Sequence, residues 1–330
     1  MDEATNRFCS DIYKNLPVGR ECELGAHKQG SENQPRSRIL VAHETMIANS
    51  TPKPSISIRD LDTIGDIEAV LRLEKEVWAF EDADVTPLTL AVAMKAAGSI
   101  LIGAFDGPEL VGFAFAFPSL EHGRVGFHSH TLAVRPSHQS LGLGYRLKVA
   151  QRQRALALGI KEVTWTFDPL RSRNAHLNFS RLGVVSDSYR VNFYGEQTSS
   201  PLHTNGTDRF WVTWHLADPR VEARIKGKDF RLEALDALAH VEPLVRFNGD
   251  GNPAEGDLES ALSRQRVAIE IPGDMDRVER DQKDLARQWR LVTRRAFTES
   301  LKAGFIVKEF CRSIRGQQGP GAYLLEKNNQ

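Results

Sequence analysis

The stretch Thr131-Leu-Ala-Val-Arg-Pro-Ser-His-Gln139-Ser-Leu-Gly142-Leu-Gly144-Tyr-Arg-Leu-Lys148 constrains the fold more than any other part of the chain. The apolar run from Thr131 to Val134 suits a buried strand, and Pro136 stops it. Gly142 and Gly144 remove side chains where backbone must approach something closely. Leu147, Ala150, Arg154 and Leu158 then recur as one helical stripe, so the first amides of that helix lie at the glycines. Free amides at the positive end of a helix dipole bind phosphate.

Spacing narrows the kind of phosphate site. The GxxxxGK[ST] pattern of nucleotide triphosphatases is absent. A dinucleotide site needs G-x-G-x-x-G directly after the strand, but Leu147 holds the third glycine position and several residues separate Val134 from Gly142. Asp168, near the end of the next strand, still keeps a dinucleotide reading open through a ribose contact. What remains is Gln139-x-x-Gly142-x-Gly144, which resembles the acyl-CoA pyrophosphate loop of the GNAT family of N-acyltransferases.

The surrounding pattern extends the resemblance over residues 55–217. Residues 55–59 alternate as a strand, and Ile64, Ile67, Leu71, Leu73 and Val77 form a helical stripe ending near Trp78. Thr86-Pro87 sets an N-cap and N1 pair for a second helix. Strands follow at 99–105, 110–117 and 125–134, with Asp106-Gly107 as a hairpin turn. After the glycine loop come a strand at 162–167, a short helix at 173–182 closed by Gly183, and strands at 184–194 and 210–216. The expected fold is therefore α/β (α+β), a mixed central sheet with flanking helices. Residues 1–52 are polar and aperiodic and read as a disordered leader, with Met46 a possible true start. Residues 218–330 read as a smaller β-α-β-β subdomain, either a degenerate GNAT-like half or a cap, without a second glycine loop.

Bulk properties exclude several functions. Lys plus Arg and Asp plus Glu each number 43, so the balanced charge gives no case for nucleic acid or an anionic membrane. No apolar run reaches the ~20 residues of a membrane span. Cys9, Cys22 and Cys311 are too few and too scattered for a disulfide framework or a zinc site, which suits a reducing cytoplasm.

The resemblance implies acyl-CoA, acetyl or succinyl, as co-substrate and an amine as acceptor. It implies pantetheine contacts along Leu132, Ala133 and Val134. It also places Gln139 and the backbone of Ser140, Leu141, Gly142, Leu143, Gly144 and Tyr145 at the pyrophosphate, with Asn174 near the cofactor. Many relatives carry N-x-x-A-x-x-x-Y-x-x-x-G-F, whose Tyr protonates the leaving thiolate. This chain has Ser172, Phe179 and Val184 at the Asn, Tyr and Phe positions, so the usual acid is missing. His128 and His130 share a strand face by the period of two and are candidate proton acceptors, or buried structural histidines. Tyr194 is the candidate replacement acid. Asp168, Tyr189, Asn192 and Arg209 are candidate substrate contacts, Arg209 either clamping a carboxylate or pairing with Asp208 or Asp168. The acceptor class is a small molecule such as an amino acid, and a non-catalytic acyl-CoA sensor is the alternative.

Acyl-CoA at ~100 times its dissociation constant is expected to stabilise the protein by ~2.7 kcal/mol. A thermal-shift series with CoA, acetyl-CoA, succinyl-CoA and NAD checks this, and a response to NAD alone would overturn it.

Overall fold

The computed structural model describes residues 55–82, 84–196, 200, 203–316 and 319–328. The leader expected over 1–52, including Met46, lies outside them. In chain order the elements are β1 (Ile56–Asp60), α1 (Ile64–Trp78), α2 (Leu88–Ala96), β2 (Ile100–Asp106), β3 (Glu109–Glu121) and β4 (Arg124–Val134). A 3₁₀ turn (Pro136–Leu141) leads into α3 (Leu143–Ala157) and β5 (Glu162–Phe167). Next come α4 (Ser172–Ala175), prolonged by a π-helical turn (His176–Leu182), then β6 (Val185–Arg190) and β7 (Arg209–His215). The remainder is α5 (Pro219–Ile225), α6 (Arg231–Ala239), β8 (Pro243–Phe247), β9 (Pro253–Glu255), α7 (Leu258–Leu262) and β10 (Arg266–Ile271). It ends with α8 (Met275–Asp281), α9 (Lys283–Lys302), β11 (Phe305–Cys311) and β12 (Gly321–Lys327).

Local chemistry accounts for most boundaries. Thr63 and Asp66 form a reciprocal capping box that starts α1. Helix α2 starts one residue later than Thr86-Pro87 suggests, because Pro87 itself takes the extended N-cap conformation, φ −58° and ψ 133°. Strand β6 stops at Arg190, short of the expected Tyr194, because Asn192 turns the chain at φ 46°.

All twelve strands form one sheet in the order β1-β2-β3-β4-β5-β7-β6-β11-β12-β10-β8-β9. The outer face of β2 to β4 packs on α1 and α2 through Leu61, Ile67, Leu73, Phe113 and Phe115. The other core runs unbroken from Leu143, Leu147 and Val163 through Phe179 and Phe210 to Trp289, Phe297 and Tyr323. The strand sequence mirrors about its middle. β4 and β5 are parallel, as are β8 and β10, while β5-β7-β6 and β10-β12-β11 are antiparallel runs. The two runs meet where β6 pairs with β11, Ser186 opposite Val307.

Helix α9 is tied to the centre of this sheet by charge. Arg290 holds both oxygens of Asp168, just past β5, at 2.8 and 2.7 Å. One turn on, Arg294 holds both oxygens of Asp208, just before β7, at 2.8 and 2.9 Å. Both carboxylates are buried. Burial alone would raise the Asp168 pKa, but the charge and hydrogen bonds of Arg290 bring it down to about 2. That value lies below the ~3.9 of an unfolded chain. The pair therefore stabilises fully above pH ~4 and its contribution is lost as pH falls toward 2. Asp168→Ala would leave Arg290 buried and unpaired, for an expected loss of about 3–5 kcal/mol. Replacing both residues with apolar ones should cost clearly less, and urea denaturation distinguishes the two.

Candidate active site

Strands β4 and β5 pair at only two positions, Phe127 with Val163 and His128 with Thr164. Beyond them β5 continues alongside β7, and β4 alongside β3. A register shift opposite Phe115 and Ala116 leaves His130 as an extra residue between Ser129 and Thr131. An extra residue bends a strand, so β4 turns away from β5 at this point. The result is a wedge between residues 129–134 and 165–167. The backbone edge of Leu132, Ala133 and Val134 on that side has no strand partner among the described residues. On either side of the wedge lie buried polar atoms without hydrogen-bond partners, Thr131 Oγ1 and Gln151 Nε2. An extended, polar ligand fits such an edge.

At the wide end of the wedge the glycine loop has the form the motif implied. Gly142, at φ 68°, is the N-cap of α3 and supplies no side-chain cap, so the first amides of the helix stay open. A Cβ on Gly142 would meet nothing within 4 Å, whereas one on Gly144 would lie 3.5 Å from Leu132. Gln139 turns back and donates to Val134 O at 3.2 Å, so it braces the end of β4. Ser140 and Leu141 belong to the 3₁₀ turn, which is more regular than an open loop. Leu143 is fully buried, and Tyr145 lies beneath the Arg181 guanidinium. Asn174 is exposed on α4. Phe179 is enclosed by Phe167, Phe210 and Tyr323, so no hydroxyl stands at the expected acid position.

One face of the wedge carries the imidazoles. Despite the bulge, His128 and His130 both pack on Phe117, with ring centroids at 5.4 and 5.7 Å. Thr164 Oγ1 donates to Glu121 Oε1 at 2.7 Å, so it accepts from His128 Nδ1–H at 3.2 Å. This leaves the lone pair on His128 Nε2. Trp211 packs at a tilt against the same ring, with centroids 4.8 Å apart, and donates to the second Glu121 oxygen at 3.2 Å. Burial, then repulsion from His130 and Lys148, pushes the His128 pKa down to about 4. His130 opens to solvent, while the protein crowded around it lowers its pKa below the ordinary histidine value. Sequence reasoning missed Glu121, Thr164 and Trp211. Alternation along their strands was the only signal available.

Tyr194 and Arg209 border the same face. The Tyr194 hydroxyl lies 3.3 Å from Thr166 Oγ1, and its ring stacks on His203. Arg209 lies over that ring at 5.2 Å and donates to Asp208 O at 2.9 Å. Arg209 is 8% exposed, yet no carboxylate of the described residues lies within salt-bridge distance. Its anticipated partners are taken by α9. Asp168 belongs to Arg290, and Asp208 to Arg294, the Tyr189 hydroxyl at 2.7 Å and Asn192 N at 3.0 Å. Asp168, Tyr189 and Asn192 thus tie β5 to β7 to α9 instead of facing the wedge.

On the opposite face Lys148 of α3 is buried at 4% exposure, with Gln151 beside it. Both look like solvated helix residues in sequence, whereas Leu158, expected on the buried stripe, is 62% exposed. The stripe is rotated because α3 buries 143, 147, 148, 150, 151 and 155 against the sheet.

The His128 ring should stay neutral down to about pH 5, with an NMR titration midpoint near 4. Because the folded value lies below the unfolded ~6.5, His128 subtracts stability as pH falls from ~6.5 toward 4. A midpoint near 6.5 would contradict the burial and the Thr164 contact.

Residues 66–183 match the model of the "Acetyltransferase (GNAT) family". No curated protein matches the chain. Similar solved structures include the ribosomal-protein-S18-alanine N-acetyltransferase from Escherichia coli, 17% identical, covering 49% of this chain and 95% of that one at TM-score 0.41. An aminoglycoside 6'-acetyltransferase type Ii is 21% identical, covering 49% and 97% at TM-score 0.40. The PaiA N-acetyltransferase from Thermoplasma acidophilum, in complex with coenzyme A, is 15% identical, covering 49% and 99% at TM-score 0.34. Over residues 66–183, then, the chain carries a domain of the acetyltransferase (GNAT) family, with further strands and helices following it.

Proposed function

We propose that this protein is an acyl-CoA-dependent N-acyltransferase that passes an acetyl or succinyl group to the amine of a small molecule such as an amino acid. The observation that carries the reading is the coincidence, within residues 127–131, of the last β4–β5 pair, the bulge and two imidazoles. Bound acyl-CoA would supply a thioester, an acyl group on a leaving sulfur. The free edge of Leu132, Ala133 and Val134 would hold its pantetheine arm, and the amides after Gly142 its pyrophosphate.

The chain's own residues then have separate tasks. His130, open to solvent at the bulge, takes the proton that the attacking amine must lose. His128, neutral and fixed through Thr164 and Glu121, keeps a second lone pair beside it. Arg209 has charge to spare for a substrate carboxylate, which a planar guanidinium grips with two hydrogen bonds. Tyr194, held next to it, lines the same subsite. The C-terminal elements, read as a degenerate GNAT-like half, brace this face through α9 and carry no second glycine loop.

The other reading, a sensor that binds acyl-CoA without turning it over, has Phe179 in its favour. An amine screen with free-thiol detection separates the two, since a sensor releases no CoA. With an active amine in hand, His130→Ala should lower kcat by ~10²–10⁴. Arg209→Met should raise KM for amines bearing a carboxylate and leave it unchanged for those without. Equal loss for both kinds would remove Arg209 from substrate recognition.

A further inference from the structure

Lys148 occupies the apex of the wedge from below. Ser129 and Trp165 are the first residues past the last β4–β5 pair, one on each strand. Lys148 Nζ donates to Ser129 Oγ at 2.7 Å and lies 3.7 Å from the centre of the Trp165 ring. Its remaining neighbour is Gln151 Oε1 at 3.5 Å. The groups facing Nζ from β4, β5 and α3 are therefore all uncharged. His128, on the other face of β4, feels the charge of Lys148 and is itself kept neutral by its surroundings. A buried ammonium held by one hydroxyl and a ring is short of an anion. The family's usual acid would stand on this same helical side of the sheet, where Phe179 is sealed into an aromatic cluster.

We propose that Lys148 is the acid that receives the leaving thiolate, in place of the missing tyrosine. The inference rests on the acyl-CoA reading above. In the step, the amine nitrogen bonds to the thioester carbon and its proton passes to His130. The carbon–sulfur bond then breaks with both electrons going to sulfur, and Lys148 Nζ gives sulfur a proton. Solvent later reprotonates the lysine and takes the proton from His130, so acyl-CoA and amine yield amide and CoA thiol. Burial brings the Lys148 pKa down to about 7, which makes proton release near neutral pH easy.

The test uses the full chain with the amine found by the screen above. Only the protonated lysine can act as the acid, so wild-type kcat should fall as pH rises past about 7. With acyl-CoA, Lys148→Met and Lys148→Gln should lower kcat by ~10²–10⁴ and lose that falling limb. With an aryl thioester, whose acidic thiol departs without a proton, the same variants should recover most of the loss, and their affinity for desulfo-CoA, which lacks the sulfur, reports that they remain folded. Equal loss with both donors overturns the proposal, as does a wild-type kcat that holds level above pH 7. Failure of wild type to release thiol with any amine overturns the transferase reading itself, and this proposal with it.

Discussion

A parallel strand pair that ends after two residues leaves main-chain donors and acceptors open in the middle of a sheet, a costly arrangement unless the strands are pinned elsewhere. Here β3 grips β4 along its length and β7 grips β5. The bulge at His130 bends β4 away, and two carboxylates fix the other bank. Asp168 just past β5 and Asp208 just before β7 are each clamped by an arginine of α9. Were β5 and β7 free to drift, the gap could close by restoring the lost pairing. The wedge therefore depends on a helix more than a hundred residues past β5 in sequence, and the face that carries Tyr194 and Arg209 is held by the same two ion pairs.

Charge is distributed across this gap with some economy. The carboxylates around it are engaged, Glu121 by Thr164 and Trp211, Asp168 and Asp208 by α9. Burial keeps the His128 imidazole neutral, and the protein around His130 lowers its pKa. Among the described residues, two buried cations at the gap have no such pairing, Arg209 on the imidazole face and Lys148 on the helical face. Each is thereby open to an anion from outside the protein, which is the ground of the roles proposed for them.

The local parts of this machine are legible in the sequence. The glycine loop, Asp106-Gly107, Gly183 and the strand alternations are decided by neighbours a few residues apart, and each appears close to where its pattern puts it. The pair of histidines was visible for the same reason, although the bulge between them was not, because a register shift is set by the opposing strand. The fates of Asp168, Tyr189 and Asn192 were hidden, since their partners Arg290 and Arg294 lie about a hundred residues on and look like surface residues of an amphipathic helix. Lys148 was hidden by a rotation of α3 that only packing against β4 and β5 determines. Residue types were informative; their pairings were not.

The seam between β6 and β11 has a consequence for how this protein meets other chains. An open strand edge is a template for another chain to add to the sheet. Here the edge of β6 is taken up by the same polypeptide, which leaves, among the described residues, β1 and β9 as the outer edges. β9 is three residues long and starts with Pro253, which lacks a donor, and β1 ends in the charged pair Arg59 and Asp60. Among the described residues, then, the twelve-stranded sheet ends in two blunted strands, and growth by main-chain pairing is discouraged at both.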